Sequence, residues 1–233
     1  MTTYIRTPFG KAELKGRFGR EGRPIVKDGI KLLAKSIKAR VRDDHQVVGI
    51  IDGDTGSGKS NLAIHVAQCL DPDWDLELFY IYEAEDIGKA IRNINTPYPV
   101  FLFDEGSILL NSKDSMSRDS KKISKLFDSM RYLHVTSLIC CPNAMRLNKS
   151  ILFDHTDFRL MCPSKAPLPG YDPRGFVHVH SQWHAIWTDK MSWPYIYTTS
   201  FPKMSKSMAL KYDALKRESS RQFMDEFFKE GEK

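Results

Sequence analysis

The sequence is poor in the features that define several protein classes. It contains no run of about 18 apolar residues, the length that a membrane-spanning helix requires. Its N-terminus, MTTYIRTPFGKAELKG, lacks the apolar segment of a secretory signal. The four cysteines, Cys69, Cys140, Cys141 and Cys162, include no C-x-x-C pair. These absences argue against a membrane span, export and a disulfide framework, and they predict a cytoplasmic protein with reduced thiols.

The charge is unevenly distributed along the 233 residues, whose net charge is +6. Basic residues exceed acidic ones by seven in residues 1–46 and by five in residues 106–150, whereas acidic residues exceed basic ones by eight in residues 47–105. Such segregation indicates either a polyanionic partner or an ordinary solvated surface. The hydrophobic content of 41% is enough for a core of one large α/β domain or two small ones.

The most informative stretch is residues 47–62, VVGIIDGDTGSGKSNL, where an apolar run enters a glycine turn. The turn matches the phosphate-binding pattern G-x-x-x-x-G-K-[ST] at every position, so a chance glycine turn is disfavoured. Glycine permits positive φ, which lets successive N–H groups face anionic oxygens, and the next helix points its positive end at the same phosphates. Lys59 would contact the β- and γ-phosphates and Ser60 would ligate Mg²⁺. The predicted nucleotide-binding residues are Gly53, Asp54, Thr55, Gly56, Ser57, Gly58, Lys59, Ser60 and Asn61.

A second motif is residues 100–105, VFLFDE. Four apolar residues predict a strand buried on both faces, and its two carboxylates follow at the edge where parallel α/β sheets bind ligands. Asp104 is predicted to hold Mg²⁺, directly or through water, and Glu105 to polarise the water that attacks the γ-phosphate. The alternative is a strand that merely ends in surface acids, which the phosphate loop about 45 residues upstream disfavours.

Three polar residues flank the next apolar strand, predicted at residues 135–141. Arg131 before it and Arg146 after it are candidate arginine fingers, although either can be an ordinary surface residue; we favour Arg131. An amide at the end of such a strand can reach the γ-phosphate or the attacking water, and Asn143 is the polar candidate there.

Composition and periodicity divide the chain into three parts. Residues 1–27 predict a flexible basic arm, residues 28–200 an ATPase domain, and residues 201–233 a charged helical tail. Three histidines, His178, His180 and His184, have no Cys or acid partner at ligand spacing, which disfavours a metal site. The other predicted elements are helices at 28–41, 84–93 and 121–132, and strands at 78–82, 157–162, 176–180, 183–187 and 195–198, with 176–187 as a hairpin.

The order of these motifs resembles the RecA-like division of P-loop ATPases, which has an extra strand between the phosphate-loop strand and the Asp–Glu strand. Over about residues 45–162 the chain is similar to the FtsK–HerA superfamily, and the segment FDEGSILLNSK…RYLHVTSLICCPNAMRLNKSI carries the similarity. That superfamily includes DNA-pumping ATPases, small viral genome-packaging ATPases and Zot-like phage proteins. The resemblance implies a mostly parallel α/β sheet flanked by helices, with a C-terminal β-hairpin and helix. It also implies the roles given above for Lys59, Ser60, Asp104, Glu105 and Arg131, whereas the family's usual Gln is replaced here by Cys-Pro-Asn.

The leading hypothesis is therefore an ATP-driven, Mg²⁺-dependent translocase of double-stranded DNA, most like a viral genome-packaging motor. The resemblance implies a homo-oligomeric ring, usually a hexamer, in the host cytoplasm or the virion, with a capsid or membrane-vertex protein as a candidate docking partner. Residues 112–122 form a basic loop predicted to grip DNA phosphates without reading sequence. The alternatives are a Zot-like or conjugation-type ATPase that moves single-stranded DNA or protein, a small-molecule kinase, and a nucleotide-gated binding protein with negligible turnover.

Overall fold

The computed structural model describes residues 3–18, 22–106, 110, 125–167, 170, 172–185 and 190–230. Within them the chain alternates strands with helices, and short 3₁₀ or π turns connect some of these elements. The strands are β1 Tyr4–Thr7, β2 Gly10–Phe18, β3 Arg23–Val26, β4 Val47–Asp52, β5 Tyr80–Ile81, β6 Val100–Phe103, β7 Thr136–Cys141, β8 Thr156–Met161, β9 Phe176–Ser181, β10 Trp183–Ala185, β11 Lys190–Ser192 and β12 Tyr195–Ser200. The helices are α1 Gly29–Arg42, α2 Lys59–Leu70, α3 Leu76–Phe79, α4 Ala84–Arg92, α5 (residues 125–130) and α6 Lys206–Glu230.

Ten of the described strands form one sheet in the order β1-β2-β3-β12-β9-β8-β4-β7-β6-β5. Five consecutive strands of this sheet are parallel to one another: β8, β4, β7, β6 and β5. Every residue of β4, β6 and β7 is buried, as expected for parallel strands covered on both faces. Because β7 lies between the phosphate-loop strand β4 and the acidic strand β6, the sheet has the RecA-like arrangement that the sequence predicts. The carboxyl ends of these three strands meet at one edge, which is where the candidate site forms.

The prediction of a flexible basic arm for residues 1–27 is wrong for the described residues. β1, β2 and β3 form an antiparallel meander, and β3 joins the main sheet through its parallel pairing with β12. The meander buries Ala12, Ile25 and Val26 while its cationic side chains remain at the surface. The basic side chains of this segment therefore occupy exposed positions of paired strands and do not mark a disordered arm.

Helix α1 is attached to the sheet at its first residue. Gly29 donates its N–H to Oγ1 of Thr199 (3.1 Å) and accepts from the hydroxyl of Tyr197 (2.8 Å). A Cβ on Gly29 would lie 2.6 Å from Cε2 of Tyr197, so this close packing of helix on strand requires glycine. The contact joins residues about 170 positions apart and integrates the N-terminal segment with the C-terminal strands.

The C-terminal strands differ in pairing from the predicted hairpin at 176–187. β9 pairs with β8 and β12 in the main sheet, whereas β10 pairs with β11 in a separate two-stranded sheet. The predicted strand at 78–82 is shorter, because residues Leu76–Phe79 form one helical turn capped by Asp75. None of the described helices combines the length and apolar character needed to cross a bilayer.

Candidate active site

The phosphate loop connects the carboxyl end of β4 to α2. Gly53, Gly56 and Gly58 have φ values of 147°, 76° and 94°, in the region that favours glycine. A Cβ on Gly53 would lie 2.6 Å from the carbonyl oxygen of Cys162, so a larger residue there would displace backbone. Gly58 is the N-cap of α2, so the positive end of that helix faces the loop. The loop therefore has the backbone conformation that an anion-binding nest requires.

Lys59 folds back over this loop. Its ammonium donates to the carbonyl oxygens of Gly53 (3.0 Å) and Asp54 (2.9 Å), which holds the positive charge beside the loop amides. Ser57 is buried, with 7% of its surface exposed. Six of the predicted loop residues line a cleft beside the loop: Thr55, Gly56, Gly58, Lys59, Ser60 and Asn61.

The acidic pair lies at the same edge, directly after β6. Asp104 is only 2% exposed, and its Oδ1 accepts a 3.0 Å hydrogen bond from the hydroxyl of Ser60. Its Oδ2 accepts a hydrogen bond from the Tyr80 hydroxyl at 3.3 Å. Glu105 has φ of 54°, an uncommon left-handed conformation for a side chain of this size, and it is partly exposed. This turn after the strand directs the Glu105 carboxylate into the cleft rather than along the sheet.

A cleft of about 340 Å³ brings the two motifs together. Lys59 and Ser60 line it from the loop, and Asp104 and Glu105 line it from β6. The sequence predicted that these four side chains meet at one edge of a parallel sheet, and the structure places them there. Their catalytic roles remain predictions.

The chemistry of these groups fits a magnesium-bound nucleotide. A serine hydroxyl and a carboxylate in contact are hard oxygen donors, and Mg²⁺ usually takes one or two such ligands together with water and phosphate oxygens. The glycine nest and Lys59 supply the complementary anion site for the phosphates. Ser60 and Asp104 are thus the residues able to hold the metal, and Glu105 is a second carboxylate beside them in the same cleft.

Helix α6 supplies four residues that line the cleft and that the sequence did not predict for the site, and two of them contact the predicted metal and water residues. The hydroxyl of Tyr212 lies 2.9 Å from Oγ of Ser60 and 2.7 Å from Oδ2 of Asp104. The ammonium of Lys216 lies 3.3 Å from Oδ2 of Asp104 and 3.0 Å from Oε1 of Glu105. Predicted as a tail, this helix instead forms one wall of the candidate site.

The electrostatics of these groups follow from their burial. Burial by itself would lower the pKa of Lys216, but Asp104 first, with Tyr212 and Glu105, outweighs it and raises the pKa above its ordinary value, so the ammonium stays charged. Burial and the Asp104 carboxylate both raise the pKa of Tyr212 and that of Tyr80. Both phenols are therefore neutral donors to Asp104 at physiological pH.

Asn143 is not brought to this cleft. Its side-chain oxygen accepts a 2.9 Å hydrogen bond from the backbone N–H of Met145 and caps the 3₁₀ turn Ala144–Arg146. The residue lines a neighbouring cleft instead, whereas Cys140 and Pro142 from the same strand end line the main one. The structure therefore places Asn143 in a neighbouring cleft that Gly53 and Asp54 of the phosphate loop also line, and not in the cleft of Lys59, Ser60, Asp104 and Glu105.

Arg131 lies at the opposite edge of the sheet. It starts the 3₁₀ turn Arg131–Leu133, which precedes β7, and the next residue, His134, lies 3.6 Å from Asp44 at the amino end of β4. Arg131 and Tyr132 are both exposed. Arg131 therefore does not lie in the cleft that contains the phosphate loop of the same chain. The basic loop 112–122 lies outside the described residues.

A buried ion pair supports the base of the phosphate loop. Asp52, the last residue of β4, is 4% exposed and accepts two hydrogen bonds from the guanidinium of Arg159, at 2.9 Å from Nε and 2.5 Å from the terminal nitrogen. The pair joins β4 to β8 immediately before Gly53. It is a positioning element for the loop, and the sequence analysis did not identify it.

The residues that sequence reasoning missed have weak local signals. Tyr212 and Lys216 are four positions apart, which places them on one face of a helix, but nothing in the sequence indicates what that face contacts. Asp52 directly precedes the first glycine of the loop, which marks it as a candidate. Its partner Arg159 is 107 positions away and is not marked by any motif.

Several solved structures resemble the chain at low sequence identity. No protein-family model and no curated protein sequence matches the chain. The genome-packaging NTPase B204 from Sulfolobus turreted icosahedral virus 2, in complex with ATPγS, is 11% identical with a TM-score of 0.42, and the match covers 69% of this chain and 98% of that one. The cytoplasmic domain of the Thermomonospora curvata type VII secretion ATPase EccC is 13% identical with a TM-score of 0.42, over 87% of this chain and 27% of that one. EssC (ATPases 2 and 3) from Geobacillus thermodenitrificans is 11% identical with a TM-score of 0.40, over 77% and 44%.

Proposed function

We propose that this protein is an ATP-hydrolysing motor that translocates double-stranded DNA, in the manner of viral genome-packaging ATPases. The observation that carries the proposal is the meeting of the phosphate loop and the acidic pair in one cleft. A glycine nest, a lysine, a hydroxyl–carboxylate pair and a second carboxylate are the set of groups that nucleoside triphosphate hydrolysis by P-loop enzymes uses.

Each side chain has a definable task in that reaction. The loop amides and Lys59 bind the phosphate chain and stabilise charge on its γ-phosphoryl oxygens. Ser60 and Asp104 would hold a metal ion, which would supply positive charge to offset the charge of the phosphate chain. Glu105 orients a water molecule and accepts its proton, since it is the exposed member of the acidic pair.

Three observations support DNA as the cargo and a ring as the assembly. The excess of basic residues in segments 1–46 and 106–150 favours a polyanionic partner. The sequence resemblance to the FtsK–HerA superfamily implies a DNA-moving ring. The exposed position of Arg131, at the sheet edge remote from its own cleft, suits a finger that completes a neighbouring subunit's site.

The decisive experiment measures the ATPase rate with and without long duplex DNA, beside a sizing column. We expect a large assembly whose turnover DNA stimulates. Glu105→Gln should lower turnover by about 100-fold or more while ATP binding is retained, and Lys59→Ala should abolish turnover. Glu85→Gln, at an exposed position of α4, is the matched control and should behave as wild type. Full turnover by the Glu105→Gln variant would remove that residue from catalysis.

The same preparation discriminates the other functions. A gel-shift preference for single-stranded DNA, or binding of a coat protein instead of DNA, would favour an assembly or secretion motor. Transfer of phosphate to a metabolite would indicate a kinase, and bound ATP without phosphate release would indicate a nucleotide-gated binding protein.

A further inference from the structure

We propose that helix α6 is a built-in competitor of magnesium-bound ATP, with Tyr212 and Lys216 as the groups that occupy the metal side of the cleft. The inference rests on the proposed function, because it assigns a form of regulation to the same site. It concerns the chain's own residues and their contacts with Ser60, Asp104 and Glu105.

The first observation is the position of the Lys216 charge. Its ammonium lies between the two carboxylates, 3.3 Å from Oδ2 of Asp104 and 3.0 Å from Oε1 of Glu105. One cation therefore neutralises both members of the acidic pair. A divalent metal held by Asp104 and an ammonium held by the same carboxylate repel each other at this distance, so the two are alternative counter-ions of the pair.

The second observation concerns the hydroxyl–carboxylate pair itself. The Tyr212 hydroxyl lies 2.9 Å from Oγ of Ser60 and 2.7 Å from Oδ2 of Asp104, and it lies 3.2 Å from the Lys216 ammonium. It therefore sits against both of the predicted metal ligands. Two residues one helical turn apart thus engage all three groups on which metal binding and water activation depend.

The third observation is the exposure of much of the described surface of α6 outside the cleft. Of the side chains that the structure describes in this helix, only Tyr212 is buried. Leu210 is 72% exposed, and the ion pair of Lys211 with Glu77 spans 3.8 Å between side chains that are each 59% exposed. Exposed pairs of this kind contribute little to stability. Met208 and Leu215 are partly buried and pack against the core, so α6 is attached by these apolar contacts as well as by its cleft contacts. Occupation of the cleft by another ligand would displace Tyr212, the one buried side chain among those described in the helix.

The helix is also connected in a way that permits release. Residues 201–205 link β12 to α6, and the segment touches the phosphate-loop helix through a 3.2 Å hydrogen bond from Asn61 to the carbonyl oxygen of Pro202. Ser205 caps the first turn of α6 through its hydroxyl, 3.2 Å from the N–H of Met208. The helix thus has its own cap and can leave the cleft as an intact unit.

The consequence is a population shift that opposes nucleotide binding. The apparent dissociation constant for magnesium-bound ATP equals the intrinsic one divided by the fraction of molecules in which α6 is undocked. Any interaction that holds α6 away from the cleft would raise that fraction and activate the ATPase. The opposing hypothesis is that Lys216 stays in place and contacts the phosphates during turnover.

The test compares Lys216→Met with Lys211→Met, an exposed lysine on the same helix, in the full-length chain. Two quantities are measured: the dissociation constant of a fluorescent ATP analogue with Mg²⁺, and hydrogen exchange of residues 206–222 with and without Mg²⁺–ATP. We expect Lys216→Met to bind the analogue about tenfold more tightly and to turn over faster, with Lys211→Met unchanged. In the wild type, Mg²⁺–ATP should accelerate exchange in α6, and this readout decides the question if a variant fails to fold.

The outcomes separate the two proposals. Unchanged or weaker nucleotide binding by Lys216→Met, or exchange in α6 that nucleotide does not accelerate, overturns the competitor role. Lower turnover at unchanged affinity overturns it as well and makes Lys216 a phosphate-contacting residue. If neither the wild type nor any variant binds the analogue, the proposed ATPase function fails first, and the competitor role fails with it.

Discussion

The hydroxyl of Ser60 donates a 3.0 Å hydrogen bond to Oδ1 of Asp104, although 44 positions separate the two residues in sequence. Ser60 lies in the first turn of α2, and Asp104 lies in the turn after β6. Their contact therefore shows that the phosphate loop and the end of the acidic strand lie side by side. A metal ion that both oxygens hold would depend on the charge of Asp104.

We therefore predict that Asp104→Asn keeps the shape of the site but weakens its hold on Mg²⁺. The Mg²⁺ concentration for half-maximal ATP hydrolysis should rise by about tenfold or more, because the neutral amide is a poor ligand for a hard cation. A magnesium titration of the hydrolysis rate measures this directly. Asp44→Asn removes an acid whose side chain is 84% exposed at the opposite edge and should leave the titration unchanged. An identical magnesium dependence in Asp104→Asn would exclude Asp104 as the metal-binding residue.

Arg131 is predicted to act in the site of a neighbouring subunit. The strand that separates it from the cleft, β7, is six residues long, which is about 20 Å at the usual rise per residue. Arg131→Ala should thus lose hydrolysis without losing nucleotide binding, because the finger stabilises charge only in the transition state.

A mixing experiment shows whether the arginine acts between subunits. Arg131→Ala and Glu105→Gln chains, each inactive alone, should recover about a quarter of the wild-type rate when mixed equally, since a quarter of the interfaces then combine an intact site with an intact finger. Arg146→Ala, tested in parallel, examines the other candidate arginine. Wild-type turnover by Arg131→Ala would contradict the assignment.

The buried pair of Asp52 and Arg159 predicts a large effect on stability. Arg159→Met leaves the Asp52 carboxylate without its guanidinium partner at 4% exposure. Breaking one side of a buried pair costs about 3–5 kcal/mol of the free energy of unfolding, and we expect the lower end of that range because the Arg159 side chain is 23% exposed. Urea denaturation followed by circular dichroism measures the loss. The double variant with Asp52→Asn should recover part of it, because the buried charge is then gone. Arg174→Met, which breaks an exposed pair with Asp172, should leave the urea midpoint unchanged.

His178 predicts a pH dependence of stability. Burial, then the neighbouring His180 and Arg23, lowers the pKa of His178 to about 4 from its ordinary 6.5, and its Nδ1 lies 2.6 Å from Oγ1 of Thr198. The unfolded chain therefore binds more protons than the folded one between these two values, so stability rises with pH across this window and is lost as pH falls from about 6.5 to 4.

The size of that effect is open to direct measurement. Protonation of His178 in the unfolded chain lowers the free energy of unfolding by about 2–3 kcal/mol over this pH window. Urea midpoints measured at pH 4.5 and 7 report this difference. His178→Gln should show a smaller difference between the two midpoints, whereas His45→Gln, at an exposed position before β4, should show the wild-type difference. Equal pH dependence in wild type and His178→Gln would contradict the assignment.

Residues 3–18 and 22–26 show where composition misleads. Their lysines, arginines and glycines are typical of a disordered segment, yet the segment supplies three strands of the main sheet. The pairing that stabilises them, β3 with β12, joins Ile25 to Thr198, and no local pattern encodes a partner so far along the chain. The same applies to β9. It lies between β8 and β12 in the main sheet and pairs with both, instead of forming a hairpin with β10.

The sequence by itself determined the phosphate loop and the acidic strand end, because glycines with positive φ, a lysine at the helix start and an apolar run before two carboxylates are local requirements of backbone and solvation. It also determined that both lie at the carboxyl edge of parallel strands, since alternating strands and helices permit few other arrangements. Only the tertiary structure decided that the N-terminal segment completes the sheet, that Arg131 faces away from its own cleft, and that Tyr212 and Lys216 enter it. Those outcomes depend on packing between elements that lie far apart in sequence. A local sequence pattern carries no information about such packing.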